Sequence, residues 1–368
     1  MAGSSFGRIL RVTTWGESHG TALGAVLDGF PAGVRLSPDM IQVYLDRRKP
    51  GRTKIATQRS EGDLVEILSG VFEGKTTGTP ISMMIRNTSQ HSSDYDALRN
   101  CYRPGHADYT YDKKYGFRDH RGGGRASARE TAARVAAGAA AACFLREMGI
   151  EICAYTKSIG PVSVDMAAFD ASLIQTTPTC MPDAEADKAA MAYLEKCIQE
   201  RDSAGGVVEC RITGLPAGLG DPVFNKLDAL LAQAVMSVGA VKAVEIGAGT
   251  EAGRMRGSQN NDPFTAGENG IEKRTNHAGG ILGGISDGSP VVLRAHIKPT
   301  PSIFREQETV DRDGRPLLLT IQGRHDPVIV PRAVVVVECM CALTVMDALL
   351  VNMTAQSQNI IRFYKQLY

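Results

Sequence analysis

Apolar and polar residues alternate through "GRILRVTT" (7–14) and "TALGAVLDGF" (21–30), which predicts two strands joined tightly by the polar stretch "WGESHG" (15–20). The segment "FPAGVRLSPDMIQVYLDRRKPG" predicts a turn and then a helix. Ser37 can cap that helix, Asp39 suits its first turn, and Pro50 with Gly51 stops it after Lys49. "DLVEILSGVFEGKTTGTPISMMIRN" has the pattern of a hairpin turning at Gly74 to Gly78. Ser127 and Glu130 have capping-box spacing, so a helix should start there and run through an alanine-rich stretch to Gly149. Its small side chains predict close packing in the interior.

Further on, residues 161–205 carry little marked chemistry, and the helix "DAEADKAAMAYLEKCIQERD" within them is expected to decorate the surface. "FNKLDALLAQAVMSV" (224–238) predicts an amphipathic helix, "SPVVLRAHI" and "RAVVVVECM" predict strands, and "CALTVMDALLVNM" predicts a closing helix. Strands and helices mix without a regular βα alternation, which favours α+β with antiparallel sheets over a doubly wound sheet. "GFPAG" (29–33) is echoed by "GLPAG" (214–218), each placed after a strand and before a helix. The organisation expected is a single domain over 1–368 with pseudo-repeat halves at about 7–160 and 206–352.

Composition narrows the classes of function. With 41 basic against 40 acidic residues, no global field draws the chain to nucleic acid or a membrane, so any electropositive site is local. The eight cysteines are scattered with no CxxC pair, which argues for a reducing cytoplasm and against a zinc ribbon or disulfide framework. No unbroken run of about 18 apolar residues occurs, so no membrane association is expected. "RGGGR" (121–125) could suggest an RNA-binding arginine-glycine segment, but the unit is not repeated and aromatics make up only 6% of the chain.

The candidate chemistry lies where glycine meets charge. In "DHRGGGRASARET" (119–131), a helix start offers free backbone amides, glycines allow close approach, and Arg121, Arg125 and Arg129 add fork-shaped donors: a phosphate site in outline. It is neither a Walker loop nor a dinucleotide fingerprint. "RPGHAD" (103–108) sets His106 after a Pro-Gly turn, where it could give a proton to a leaving phosphate oxygen. "GESHG" (16–20) misplaces its serine for a nucleophile elbow and leads into a strand, which excludes a serine hydrolase. "RRKPGRTK" (47–54), "NHAGGILGGISDG" (276–288), "KPTPSI" (298–303) and "GRHDP" (323–327) repeat the theme. Together they fit one site for a multiply anionic small molecule and a phosphorylated cofactor, and no histidine has the carboxylate spacing of a metal site. An oxidoreductase with net hydride transfer to a nicotinamide or flavin would need similar parts.

These stretches, with "TQRSEGD" (57–63), "MSVGAVKAVEIG" and "RGSQNND", stand in the order found in chorismate synthases, a family the chain resembles from residue 7 to about 352. The resemblance implies a β-α-β sandwich, a helical layer between antiparallel sheets, assembled as a homotetramer. It implies anti-1,4-elimination of phosphate from 5-enolpyruvylshikimate 3-phosphate, giving chorismate, with reduced FMN as cofactor and NADPH only indirectly, for flavin reduction. By resemblance His106 is the acid near the departing phosphate, His19 protonates the reduced flavin, and Asp326 assists proton removal at the flavin. Arg48, Lys54, Arg103, Arg129 and Arg134 form a wall for substrate or NADP. FMN contacts fall to Arg125, Ala126, Ser127, Gly239, Ala240, Gly283, Lys298, Pro299, Thr300, Pro301, Ser302 and Arg324. The chain departs from the commoner pattern at Ala126, Gly239, Pro301 and Lys54, where serine, asparagine, serine and arginine are frequent.

Overall fold

The computed structural model describes residues 3–49, 62–88, 98–267, 270–321 and 326–365. The first alternating segment forms β1 (Ser5–Phe6), β2 (Arg11–Gly16) and β3 (Ala22–Asp28), with "WGESHG" closing the β2–β3 turn as its polarity predicts. β3 leads to α1 (Pro38–Arg48), and the Ser37 hydroxyl accepts from Met40 N to cap it. Then come β4 (Val65–Ile67), the small hairpin of β5 (Val71–Phe72) and β6 (Lys75–Thr76), and β7 (Ile81–Arg86). The sheet is antiparallel in the order β1-β2-β3-β7-β4. Two helices follow, α2 (Asp108–Tyr115) and α3 (Thr131–Glu147).

A second sheet repeats this connectivity. β8 (Glu151–Ile159), β9 (Val162–Ser163) and α4 (Ala184–Gln199) precede β10 (Gly206–Thr213), α5 (Leu227–Met236) and β11 (Val241–Ile246). α6 (Gly257–Asn260), β12 (Phe264–Gly267) and β13 (Gly270–Lys273) form an excursion before the hairpin of β14 (Ile281–Leu282) and β15 (Ile285–Ser286), then β16 (Val291–Ile297). The order is β11-β16-β10-β8-β9, again antiparallel. β17 (Gln307–Val310) pairs with β18 (Pro316–Leu319), and α7 (Val330–Asn352) and α8 (Ser357–Lys365) follow.

The echo of GFPAG and GLPAG is a shared hydrogen-bond device. Thr76 Oγ1 donates to Pro31 O at 2.6 Å and accepts from Val34 N, while Gly33 N donates to Thr76 O. Ser286 Oγ donates to Pro216 O at 2.6 Å and accepts from Leu219 N, while Gly218 N donates to Ser286 O. A small hydroxyl in each hairpin therefore pins the turn that launches the helix.

The helices fill the space between the sheets. α3 packs on β3 and β7, α7 packs on β8 and β10, and the two helices pack on each other. They come close at Gly138, where a Cβ would sit 2.3 Å from Cys339 Cβ. Alanines elsewhere on α3 permit this contact, because side chains of that size let two backbones come together. Both sheets turn apolar residues inward at every second position, as with Val291, Leu293, Ala295 and Ile297 on β16.

Three expectations are corrected. Residues 332–340, read as a strand, are the first half of α7: Val334 to Val337 are β-branched, but the segment lies buried between sheets whose ladders are already filled. Only a helix satisfies its backbone internally there, so burial overrides propensity. α7 is long and apolar enough to cross a membrane by length and composition, yet most of it is buried inside the protein. Second, the helix at Ser127 opens with a 3-10 turn over Ala128–Glu130, and its capping box is only half formed. Ser127 Oγ accepts from Arg129 N, whereas the Glu130 carboxylate is taken by Thr14 and Arg134. Third, α4 is more than surface decoration, since Ala186, Ala190, Leu194 and Cys197 join the core.

Candidate functional site

The glycine loop lies against the β2–β3 turn. Gly122 has φ +132 and would bring a Cβ to 2.5 Å from His19 Cδ2, so only glycine lets this loop cover the histidine. Arg125 turns inward: its guanidinium donates to Thr14 Oγ1 at 2.6 Å and to the carbonyls of Thr14 and Gly16. Ala126 is exposed beside it, and Ser127 is committed to its cap.

His106 is fixed from one side. Its Nδ1 lies 3.0 Å from both Asp108 Oδ1 and Arg103 Nη2. Arg103, itself buried, donates Nε and Nη2 to the two oxygens of Asp108 at 2.7 Å each, and Nη2 also reaches Gly122 O at 3.4 Å. Burial alone would raise the Asp108 carboxyl, but hydrogen bonds from Arg103 and His106 bring it well below the usual carboxylate range. Asp108 therefore stays charged and aims the ring.

From the His19 turn a second chain of polar contacts runs the other way. Asn87 Nδ2 donates to Glu17 O and Gly20 O, and Asn87 Oδ1 accepts from Arg129 Nε at 2.8 Å. Arg129 and Arg48 both donate to the buried Asp63 carboxylate. Arg48 sits at the carboxyl end of α1, where a cation suits the helix dipole, and its carbonyl accepts from Arg332 Nε at 3.1 Å. The Arg332 guanidinium in turn holds Asp326. Burial pushes the Arg48 guanidinium down to about 10, with Arg332 and Arg129 adding to the fall and Asp63 opposing it.

The second half contributes mostly backbone. Lys298 Nζ donates to Gly105 O at 2.6 Å, next to His106, and Lys298 N donates to Ala240 O. Pro301 lies against Gly105, Pro299 against Gly205, Thr300 O accepts from Ser203 Oγ at 2.7 Å, and Ser302 is buried. Ala240 has φ +72 beside Gly239, and Arg134 spans the halves with 2.6 Å to Ser237 Oγ. Gly283 does not join this cluster. It turns the β14–β15 hairpin, whose Gly284 O accepts from Leu227 N at the start of α5. Ser237 is at that helix's other end, about 15 Å away along its ten residues. Lys54 and Arg324 lie outside the described residues.

Contacts at Gly122 join His19 to Arg103 and His106, contacts through Asn87, Arg129, Asp63, Arg48 and Arg332 lead from the His19 turn to Asp326, and Lys298 lies next to Gly105, so these residues form one cationic cluster. Ser18 Oγ is buried there with no hydrogen-bond partner among the described residues, and Gly122 lies close to Cδ2 and Nε2 of His19. An orphan hydroxyl, glycine-lined walls and backbone-rich loops suit a flat, phosphorylated ring system. Residue-by-residue inspection of the sequence passed over Asp63, Asn87 and Arg332. Asp63 does stand inside the 57–63 motif, and Arg332 follows six residues after Asp326; Asn87 carries no local signal.

The family model described as chorismate synthase matches residues 10–350. A curated protein named chorismate synthase from Lachnoclostridium phytofermentans is 59% identical over 367 residues, covering 100% of both chains. One of that name from Archaeoglobus fulgidus is 56% identical over 352 residues, covering 95% of this chain and 98% of its own. A solved crystal structure of chorismate synthase aligns with a TM-score of 0.77 at 34% identity, covering 98% of each chain.

Proposed function

The chain belongs to the chorismate synthase family, carbon–oxygen lyases of the shikimate pathway, and on that premise we propose that this cationic cluster performs the anti-1,4-elimination of phosphate from 5-enolpyruvylshikimate 3-phosphate in the presence of reduced FMN. The observation that supports this reading is the chain of polar contacts that links the surroundings of His106 and His19, through Arg129, Asp63 and Arg48, to Arg332 and Asp326. Three buried or half-buried carboxylates there, Asp63, Asp108 and Glu130, each face two guanidiniums within 4.0 Å, leaving cationic charge for a substrate with two carboxylates and a phosphate.

His106, with Nδ1 engaged by Asp108 and Arg103, has Nε2 to present to the departing phosphate oxygen, and it is the general acid. His19, pressed by Gly122, holds a proton toward the flavin; Asp326, anchored by Arg332, accepts one. Arg48, Arg103, Arg129 and Arg134 orient the anionic groups. Ser18, Ser127, Gly239, Ala240 and Lys298 to Ser302 would hold the flavin and its phosphate. Reduced FMN, when bound, supplies transient electron donation that helps expel phosphate and a nitrogen that takes up the ring hydrogen. The assembly is a homotetramer in the cytoplasm, with NADPH serving only to reduce the flavin elsewhere.

Anaerobic phosphate release from the substrate, with and without reduced FMN, tests the reading. Release is expected only with reduced flavin and with no reductant consumed per turnover; one equivalent consumed per turnover would make the protein an oxidoreductase instead. NADPH with oxidised FMN and no separate reductase should sustain no turnover. His106→Ala should lower kcat by roughly 10²–10⁴-fold.

A further inference from the structure

Asp63 closes the motif at 57–63, and no step above uses its chemistry. Its side chain is fully buried, and its backbone has φ +47, a conformation that costs energy for any residue but glycine and is least costly for asparagine and aspartate. Burial alone would raise its carboxyl, but the charges of Arg48 and Arg129 hold it below the usual range. One oxygen accepts from Arg48 Nη2 and the other from Arg129 Nη1, so each guanidinium has its own oxygen.

Among the described residues, Asp63 is the carboxylate that faces both cations. Arg48 has only 2% of its side chain exposed, its Nη1 reaches Ala128 O at 3.4 Å, and its Nε has no hydrogen-bond partner among the described residues. Arg129 is turned by Asn87 and by Arg86 O, but neither contact carries a full charge. Two guanidiniums this close and this dry repel strongly unless a carboxylate stands between them. Arg332, whose charge also lowers the Arg48 pKa, is occupied by Asp326.

We propose that Asp63 is a positioning residue that holds Arg48 and Arg129 as a single clamp for one anionic group of the substrate. This rests on the reading that the two arginines bind substrate. The chain accepts an unfavourable backbone at residue 63 in order to place the carboxylate there. With its side chain fully buried, Asp63 acts through the forks it aligns.

A double-mutant cycle in KM tests the inference, with the full chain, reduced FMN and anaerobic phosphate release. Arg48→Lys and Arg129→Lys, each alone, should raise KM at least tenfold, because a lysine cannot reproduce the fork. In an Asp63→Asn background, which keeps both shape and backbone preference, each lysine change should cost less than threefold, since the clamp is already undone. Equal tenfold costs in both backgrounds would overturn the proposal, even if Asp63→Asn lowers Tm. Lysine variants with native KM would instead sink the substrate role of the two arginines. Should the asparagine chain not fold, Asp63→Gly, which suits the positive φ, carries the same cycle.

Discussion

The two halves, about 7–160 and 206–352, which we read as pseudo-repeats, match at one end and differ at the other. At the GFPAG and GLPAG end, Thr76 and Ser286 make the same hydrogen bonds to the same positions. At the opposite end the first half supplies buried ion pairs from Arg48, Asp63, Arg103, Asp108 and Arg129, whereas the second supplies mainly loop backbone, with one lysine and the Arg332–Asp326 pair. A scaffold can be used twice while its rim is specialised once for charge and once for close approach. The energetics differ accordingly: in the first half charge is placed where carboxylates can share it, whereas in the second loop backbone makes most of the contacts.

The largest expected effect that sharpens this contrast is catalytic. Arg103→Gln strips His106 and Asp108 of their common partner and should lower kcat/KM by roughly 10²–10³-fold. Lys298→Gln on the other rim should cost only about tenfold, because the peptide groups around it remain. Comparable losses for the two would break the division of labour. Next is the seam between the halves: Gly138→Val drives a branched side chain into Cys339 and should lower the unfolding free energy by about 3 kcal/mol in denaturant titration. Smaller is the matched pair at the shared turns. Thr76→Val and Ser286→Ala should each cost about 1–2 kcal/mol, alike within about 0.5 kcal/mol and additive in combination. Unequal costs would mean that the resemblance of the turns is geometric only.

The smallest effect lies on the outer face of the second sheet. Burial alone would raise the Glu245 carboxyl, but hydrogen bonds from Arg294 and Thr250 outweigh it and bring it down to about 2 from 4.5. A depressed carboxylate stabilises the fold above its unfolded value, so this contribution is complete above about pH 4.5 and lost as pH falls toward 2. Glu245→Gln should flatten the acid limb of stability against pH over that window; an unchanged slope would assign the limb to other carboxylates.

Local signals made much of this legible. Ser37, the polar β2–β3 turn and the proline-glycine echo each work within a few residues, and each lies where its pattern implies. The motifs placed His106 and Lys298 near each other only through family order, because 192 residues separate them in the chain. The first half of α7 misled because β-branching is a local preference and burial between two sheets is not. Glu130 has the spacing of a cap, yet Thr14, 116 residues away, competes for it. Asp63 and Arg129 pair across 66 residues, so neither sequence neighbourhood announces the clamp.

The position of α7 in chain order has a consequence for biogenesis. Every strand of both five-stranded sheets is synthesised before Val330, and the inner faces of β8 and β10 have no lid until the helix emerges. A nascent chain halted before that point has α3 against its first sheet but lacks α7 against the apolar inner face of the second, so the core is completed only once that helix emerges. Ribosome-bound intermediates should therefore engage holdase chaperones until those last valines leave the exit tunnel.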